Sequence, residues 1–106
     1  MTTLKGIGQR ALGAVPALAE LSDRVLFGEV WERSVLGKRD RSLVTVACLV
    51  ALGRDEQLPF HLATAIDHGV TREELREVVT HLAFYAGWPA AATAARLLGA
   101  IESNAR

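Results

Sequence analysis

Glycine and proline cut this chain into short pieces, and within the pieces apolar residues recur three and four apart without sustained alternation. A period near 3.6 marks an amphipathic helix, whereas a half-buried strand needs period two. The punctuation divides the 106 residues into about six helices and leaves no segment that reads as a strand. A weakly amphipathic start runs from about Thr3 to Val15, loosened by Gly6, Gly8 and Gly13. Pro16 suits the first turn of a second helix, where its missing N–H costs nothing. Leu18, Leu21, Val25 and Leu26 line that helix, which continues with or without a bend at Gly28 through Trp31 and Arg33 and stops at Gly37-Lys38-Arg39. Asp40 is the expected cap of a third helix ending at Leu52, before Gly53, and Asp55 that of a fourth, with Pro59 near its first turn, reaching Asp67-His68-Gly69. Thr71-Arg72-Glu73-Glu74 has the spacing of a capping box, and Leu75, Val78, Val79, Leu82 and Ala86 share one side of the helix it opens. Gly87 ends that helix, and Pro89 opens a last one reaching about Ser103. One all-α domain spanning residues 1–106 is the expected architecture.

Composition agrees with helices and removes several function classes. Alanine and leucine dominate while aromatics make up 6% of the chain, a bias towards helix over sheet. Twelve Lys/Arg balance twelve Asp/Glu, so no net field draws the chain to nucleic acid or an anionic membrane. A neutral chain with 23% charged residues is not a disordered tail. A single cysteine forms no internal disulfide, redox pair or zinc cage. The first residues lack the basic start and apolar run of a signal peptide. Leu43 to Leu52 is apolar apart from Thr45 but too short for a bilayer, and Leu82 to Ile101 is broken by Gly87-Trp88-Pro89 and Arg96. A soluble, cytoplasmic protein is expected. The Leu43–Leu52 helix is apolar nearly all round and the last helix is Ala-rich, more than one layer of helices covers in so short a chain. Burial within the chain or an interface between copies would resolve this; small Ala faces favour the second, and a homo-oligomer is expected.

Three histidines are the natural acid–base candidates. His61 follows Pro59-Phe60 on the fourth helix. His68 sits beside a helix-ending glycine, where the C-terminal dipole is reason enough for it. His81, between Val79 and Leu82, reads as a hydrogen-bonded core residue. His61 and His68 lie seven apart on one helix face, but neither an i, i+4 pair nor HExxH is present, so no metal site is expected. Cys48 lies within Val46-Ala47-Cys48-Leu49-Val50 and reads as a small buried hydrophobe. The Lys38-Arg39-Asp40-Arg41 cluster is either solvated or an anion grip. Trp31 and Trp88 read as packing residues. No phosphate loop, nucleophile elbow or dinucleotide fingerprint occurs.

Several runs taken together resemble one family. They are Gly28-Glu-Val-Trp-Glu-Arg33, Arg41-Ser-Leu-Val-Thr-Val-Ala47, His61-Leu-Ala-Thr-Ala-Ile-Asp-His-Gly-Val-Thr71, Arg72-Glu-Glu-Leu-Arg-Glu-Val78 and Tyr85-Ala-Gly-Trp-Pro-Ala-Ala91. Their order from about Val15 to Leu98 is similar to that of the carboxymuconolactone decarboxylase family, within the alkyl hydroperoxidase D-like superfamily. The resemblance implies an all-α fold and homo-oligomers, commonly trimers or hexamers with intertwined helices. Peroxidase-type members carry Cys-x-x-Cys shortly before a histidine matching His61. Here those two positions are Arg54 and Gln57, so the resemblance implies no thiol peroxidase.

The implied reaction converts a γ-carboxylated unsaturated lactone into an enol-lactone and CO₂. The electrons released by CO₂ spread through the ring double bond to the lactone carbonyl, so the substrate is its own electron sink and no cofactor is implied. The protein must hold the acetate arm, leave the departing carboxylate poorly solvated, stabilise the enolate and deliver a proton to carbon. Arg33 and Arg41 are then the candidate carboxylate holders. His61 is the candidate general acid/base, with a reference pKa near 6.5. Glu29 would orient or charge the histidine, and Trp31 and Tyr85 would wall the pocket, Tyr85 with a hydroxyl to donate. Two other readings remain open. One is a related isomerase, decarboxylase or lyase acting on another small oxo-acid or biosynthetic intermediate; the other is a non-catalytic oligomer that binds a small molecule.

Overall fold

A computed structural model describes residues 4–104, and every element among them is helical. Backbone contacts group the chain into two compact units, residues 1–38 and 39–106.

In the first unit, α1 (Ile7–Leu12) precedes α2 (Pro16–Leu21), whose proline occupies the first turn as expected. The helix then widens into a π-helical stretch, Ser22–Val30. Its last turn closes with the Trp31 N–H donating to the Leu26 carbonyl, five residues back, at 3.0 Å. The possible bend at Gly28 is thus a change of helix type, and the helix stops at Val30 rather than Gly37. A Cβ at residue 28 would lie 2.9 Å from the Asp23 carbonyl oxygen, so only glycine fits this wide turn unmodified. Asp23 also stabilises α1, which has no side-chain cap of its own. Its carboxylate accepts from the backbone N–H groups of Gly8 at 2.6 Å and Gln9 at 3.0 Å, placing negative charge at a helix N-terminus.

The second unit holds α3 (Lys38–Leu52) from Arg39 onward, with α4 (Leu58–Asp67), α5 (Arg72–Ala86) and α6 (Trp88–Asn104). Helix α3 begins at Lys38, so Asp40 lies in its first turn instead of capping it. Both α3 and α4 end in a glycine of positive φ, Gly53 at 69° and Gly69 at 101°. At each end the next N–H reaches five residues back, Arg54 to Leu49 and Val70 to Ala65, both at 2.9 Å, while the glycine N–H bonds three back. These paired bonds satisfy the orphan carbonyls, and glycine takes left-handed φ without a Cβ clash. After Gly53 the Asp55 N–H bonds the Gly53 carbonyl at 3.0 Å, so residues 55–57 form a turn and α4 starts only at Leu58. Asp55 therefore does not cap α4; Gln57 occupies the cap position.

The capping box forms as the spacing required. Thr71 Oγ1 accepts from the Glu74 N–H at 3.0 Å, and the Glu74 carboxylate accepts from the Thr71 N–H at 2.9 Å. The core beneath gathers Val46 and Val50 of α3, Leu58, Leu62 and Ala65 of α4, Val70, Leu75 and Val79 around α5, and Ala91, Ala94 and Leu98 of α6. Each fully buried Leu or Val there is worth about 1.5–3 kcal/mol. Arg76 ties α5 to α6 through Glu102 at 2.7 Å.

Two residues expected inside lie outside. Cys48 is exposed, because Ser42, Val46 and Val50 form the inner face of α3 and residue 48 stands about 200° round the helix from both valines. His81 is exposed by the same geometry relative to buried Val79.

Candidate functional site

The second unit brings the main histidine into a partly dry setting. His61 lies in the first turn of α4, directly before fully buried Leu62, so the helix anchors its backbone in the core while the ring reaches the surface layer. The ring is half-buried, with Nδ1 shielded from solvent and the Phe60 ring edge-on at 5.0 Å. Burial pushes the His61 pKa below its ordinary 6.5, because the charged imidazolium loses water. Burial therefore favours the neutral imidazole and makes a proton placed on the ring easier to give up.

One turn further along α4, Thr64 is fully buried and its Oγ1 meets no hydrogen-bond partner among the described residues. Near the end of the helix, His68 Nδ1 lies 2.9 Å from the Oγ of buried Ser42, which joins the start of α3 to the end of α4. His68 thus has a packing reason besides the helix end. Neither Ser42 nor Thr64 was singled out from sequence, although both are hydroxyl residues at core-periodic positions of otherwise apolar helices, the one signal that marks them.

Arg41, the candidate carboxylate holder of this unit, is half-buried near the start of α3, and its carbonyl accepts from Thr45 Oγ1 at 2.8 Å. Arg39 instead pairs with Glu74, joining the start of α3 to the capping box. The backbone N–H of Thr71, followed by Arg39, holds the Glu74 carboxyl below the usual carboxylate range. The basic cluster expected either to be solvated or to grip an anion is thus partly engaged with the protein's own carboxylates. Tyr85 lies on the outer side of α5, stacked on His81 with ring centres 4.8 Å apart.

The remaining sequence-derived site residues belong to the first unit. Glu29 lies exposed at the end of the π-helical stretch. Trp31 is buried with its ring centre 6.2 Å from that of Phe27, so packing is its structural role there. Arg33 follows in an exposed turn, its N–H bonded to the Val30 carbonyl at 3.2 Å.

An open groove of about 550 Å³ runs between α3 and α5, lined by Leu43, Val44, Ala47, Val78 and Leu82 with Glu74, Glu77 and His81 beside them. Neither His61 nor Arg41 lines it. Among the described residues no group of three or more His, Cys, Asp or Glu side chains is placed to hold a metal ion, and no helix is long and apolar enough to cross a membrane.

Comparison with known proteins adds what geometry alone lacks. The chain is 49% identical over 67 residues to the 4-carboxymuconolactone decarboxylase of Acinetobacter baylyi, covering 63% of this chain and 50% of that protein. It is 39% identical over 70 residues to the nitrosuccinic acid decarboxylase npaB of Metarhizium robertsii, covering 66% of this chain and 49% of that protein. The chain thus spans about half the length of the curated relatives it matches. Residues 16–100 match the model of the carboxymuconolactone decarboxylase family, and with four-fifths of its length inside that match the chain belongs to this family.

Proposed function

We propose that the chain is a decarboxylase that needs no resident cofactor and acts on a small anionic acid whose own structure accepts the electrons released with CO₂. The observation that carries this is His61, a half-buried imidazole whose neutral form burial favours, on a chain whose two named relatives are both decarboxylases. Both names describe acids with a built-in electron sink, an unsaturated lactone carbonyl in one and a nitro group in the other. In either case the C–C bond to the carboxylate breaks, CO₂ leaves, and the electron pair moves onto the acceptor as an enolate or nitronate. Carbon then takes a proton, which His61 supplies. A neutral His61 collects that proton when an anionic substrate binds, because nearby negative charge raises an imidazole pKa. Arg41 holds the second carboxylate of the substrate, and the half-buried setting of His61 leaves the departing one poorly solvated.

Among these acids, 4-carboxymuconolactone is the proposed substrate, with nitrosuccinate as the comparison acid. The test is CO₂ release from each acid by purified full chain. One of the two should lose CO₂, and His61→Ala should lower kcat about 10²–10⁴-fold, the usual range for general acid–base groups. Arg41→Ala should raise KM more than it lowers kcat. Parallel Glu29→Gln and Arg33→Ala variants show whether the first unit contributes to turnover. Absence of CO₂ from both acids, or full activity in His61→Ala, overturns the proposal. We also propose that the chain works in the cytoplasm as an assembly of its own copies, as its apolar surface and family suggest.

A further inference from the structure

Helix α3 carries Arg41, and polar side chains tie its first turns to the second unit at two points. Ser42, 1% exposed, shares a hydrogen bond with His68 Nδ1 at 2.9 Å, across to the end of α4. Arg39 pairs with Glu74 in the first turn of α5. Residues 39, 42, 46 and 50 follow one another at steps of three, four and four, so they share one face of α3. Val46 and Val50 enter the core, and the two polar residues continue the same face beyond it. His68 and Glu74 stand on either side of one corner, residues 69–71, whose Val70 is buried. The α4–α5 corner thus grips the start of α3 from two helices at once. Burying a hydroxyl and an imidazole nitrogen costs free energy unless each finds a partner, so the Ser42–His68 contact is directional where a pair of apolar side chains would slide.

From this placement we propose that Ser42 and His68 are positioning residues that fix the direction of Arg41 and reference it to the helix bearing His61. The inference rests on the reading of Arg41 as the carboxylate holder. Arg41 lies between the two tied residues in the chain and stands about 100° round the helix from Ser42, so any roll of α3 carries its guanidinium aside. At the outer radius of a helix, about 5–6 Å, a roll of about 10° moves a side chain by about 1 Å. A misplacement of that size in a positioning group is worth about 100-fold in rate. His61 precedes His68 by seven residues on α4, about 10 Å along its axis. One hydrogen bond therefore holds the helix of the carboxylate holder in register with the helix of the proton donor.

Three variants of the full chain test this. Ser42→Ala removes the hydroxyl, His68→Gln carries its polar atoms beyond the Nδ1 position, and His68→Asn keeps one there. Circular dichroism establishes that each is folded at the assay temperature. On the acid that the parent decarboxylates, Ser42→Ala and His68→Gln should each raise KM about tenfold, part of the loss expected for a full 1 Å shift, with kcat less affected. His68→Asn should recover most of it. In an Arg41→Ala background, Ser42→Ala should have almost no further effect, because the pair acts through Arg41. A second measurement needs no substrate. Nitrogen-15 relaxation at Arg41 Nε in the free chain should show an ordered side chain in the parent and His68→Asn, loosened in Ser42→Ala and His68→Gln. The same Arg41 order in the parent and all three variants overturns the proposal, and so does an equal loss of activity from Ser42→Ala with and without Arg41. If the parent decarboxylates neither acid, or Arg41→Ala leaves KM unchanged, the functional reading fails, and the relaxation result still decides whether the pair positions Arg41.

Discussion

The buried setting of His61 can be read without knowing any substrate, by measuring how stability depends on pH with and without the imidazole. In the unfolded chain the ring titrates near 6.5, while in the folded chain burial places its pKa lower. Above about pH 6.5 both states hold a neutral ring and its contribution is fully present. As pH falls through that value the unfolded state takes up the proton first, and stability drains away until the folded pKa is passed. The slope for one proton is at most about 1.4 kcal/mol per pH unit. Urea denaturation of the parent and of His61→Gln, from about pH 8 to about pH 5 at one protein concentration, isolates this proton because His68 and His81 are common to both. The parent should lose stability relative to the variant on acidification, with unchanged m-values. A flat difference would show that the ring is hydrated in the folded state. A parent that gains stability in acid would show a carboxylate partner stronger than the burial, and either outcome refutes the reasoning about the site.

Other consequences follow from particular contacts. Thr71→Ala removes the acceptor of the Glu74 N–H and should cost about 1 kcal/mol in thermal or urea melts, whereas Thr71→Ser should retain most of it. Leu62→Ala empties a fully buried position next to His61 and should cost about 2–5 kcal/mol, lowering activity through disorder of the α4 start. Glu74 is held below its ordinary carboxylate range, so its contribution is present above its unfolded pKa and lost as pH falls through the folded one. Acid titration of stability should therefore be shallower in Glu74→Gln than in the parent.

Much of the architecture was legible locally. The capping box, the glycine ends at 53 and 69, and Pro16 and Pro59 in first turns all depend on residues within one or two turns of each other, so spacing alone specifies them. The apolar spacing of α5 likewise predicted buried Leu75 and Val79. Family membership was also legible, because it is carried by residue order. What local spacing missed were effects of distant residues or of rotation about a helix. Asp40 and Asp55 are sound caps in isolation, but helix α3 starts at Lys38 and the turn after Gly53 carries the chain past Asp55.

Sequence by itself thus determined that the chain is helical, where most helices stop, and which family its residue order belongs to. The π-helical widening, the outward faces of Cys48 and His81, the Ser42–His68 bond and the dryness around His61 were decided only by the tertiary structure. The physical reason is that neighbouring side chains along a nearly all-apolar helix look equally suited to burial. Which of them meets the core depends on the angle at which the helix packs, and only the folded chain sets that angle.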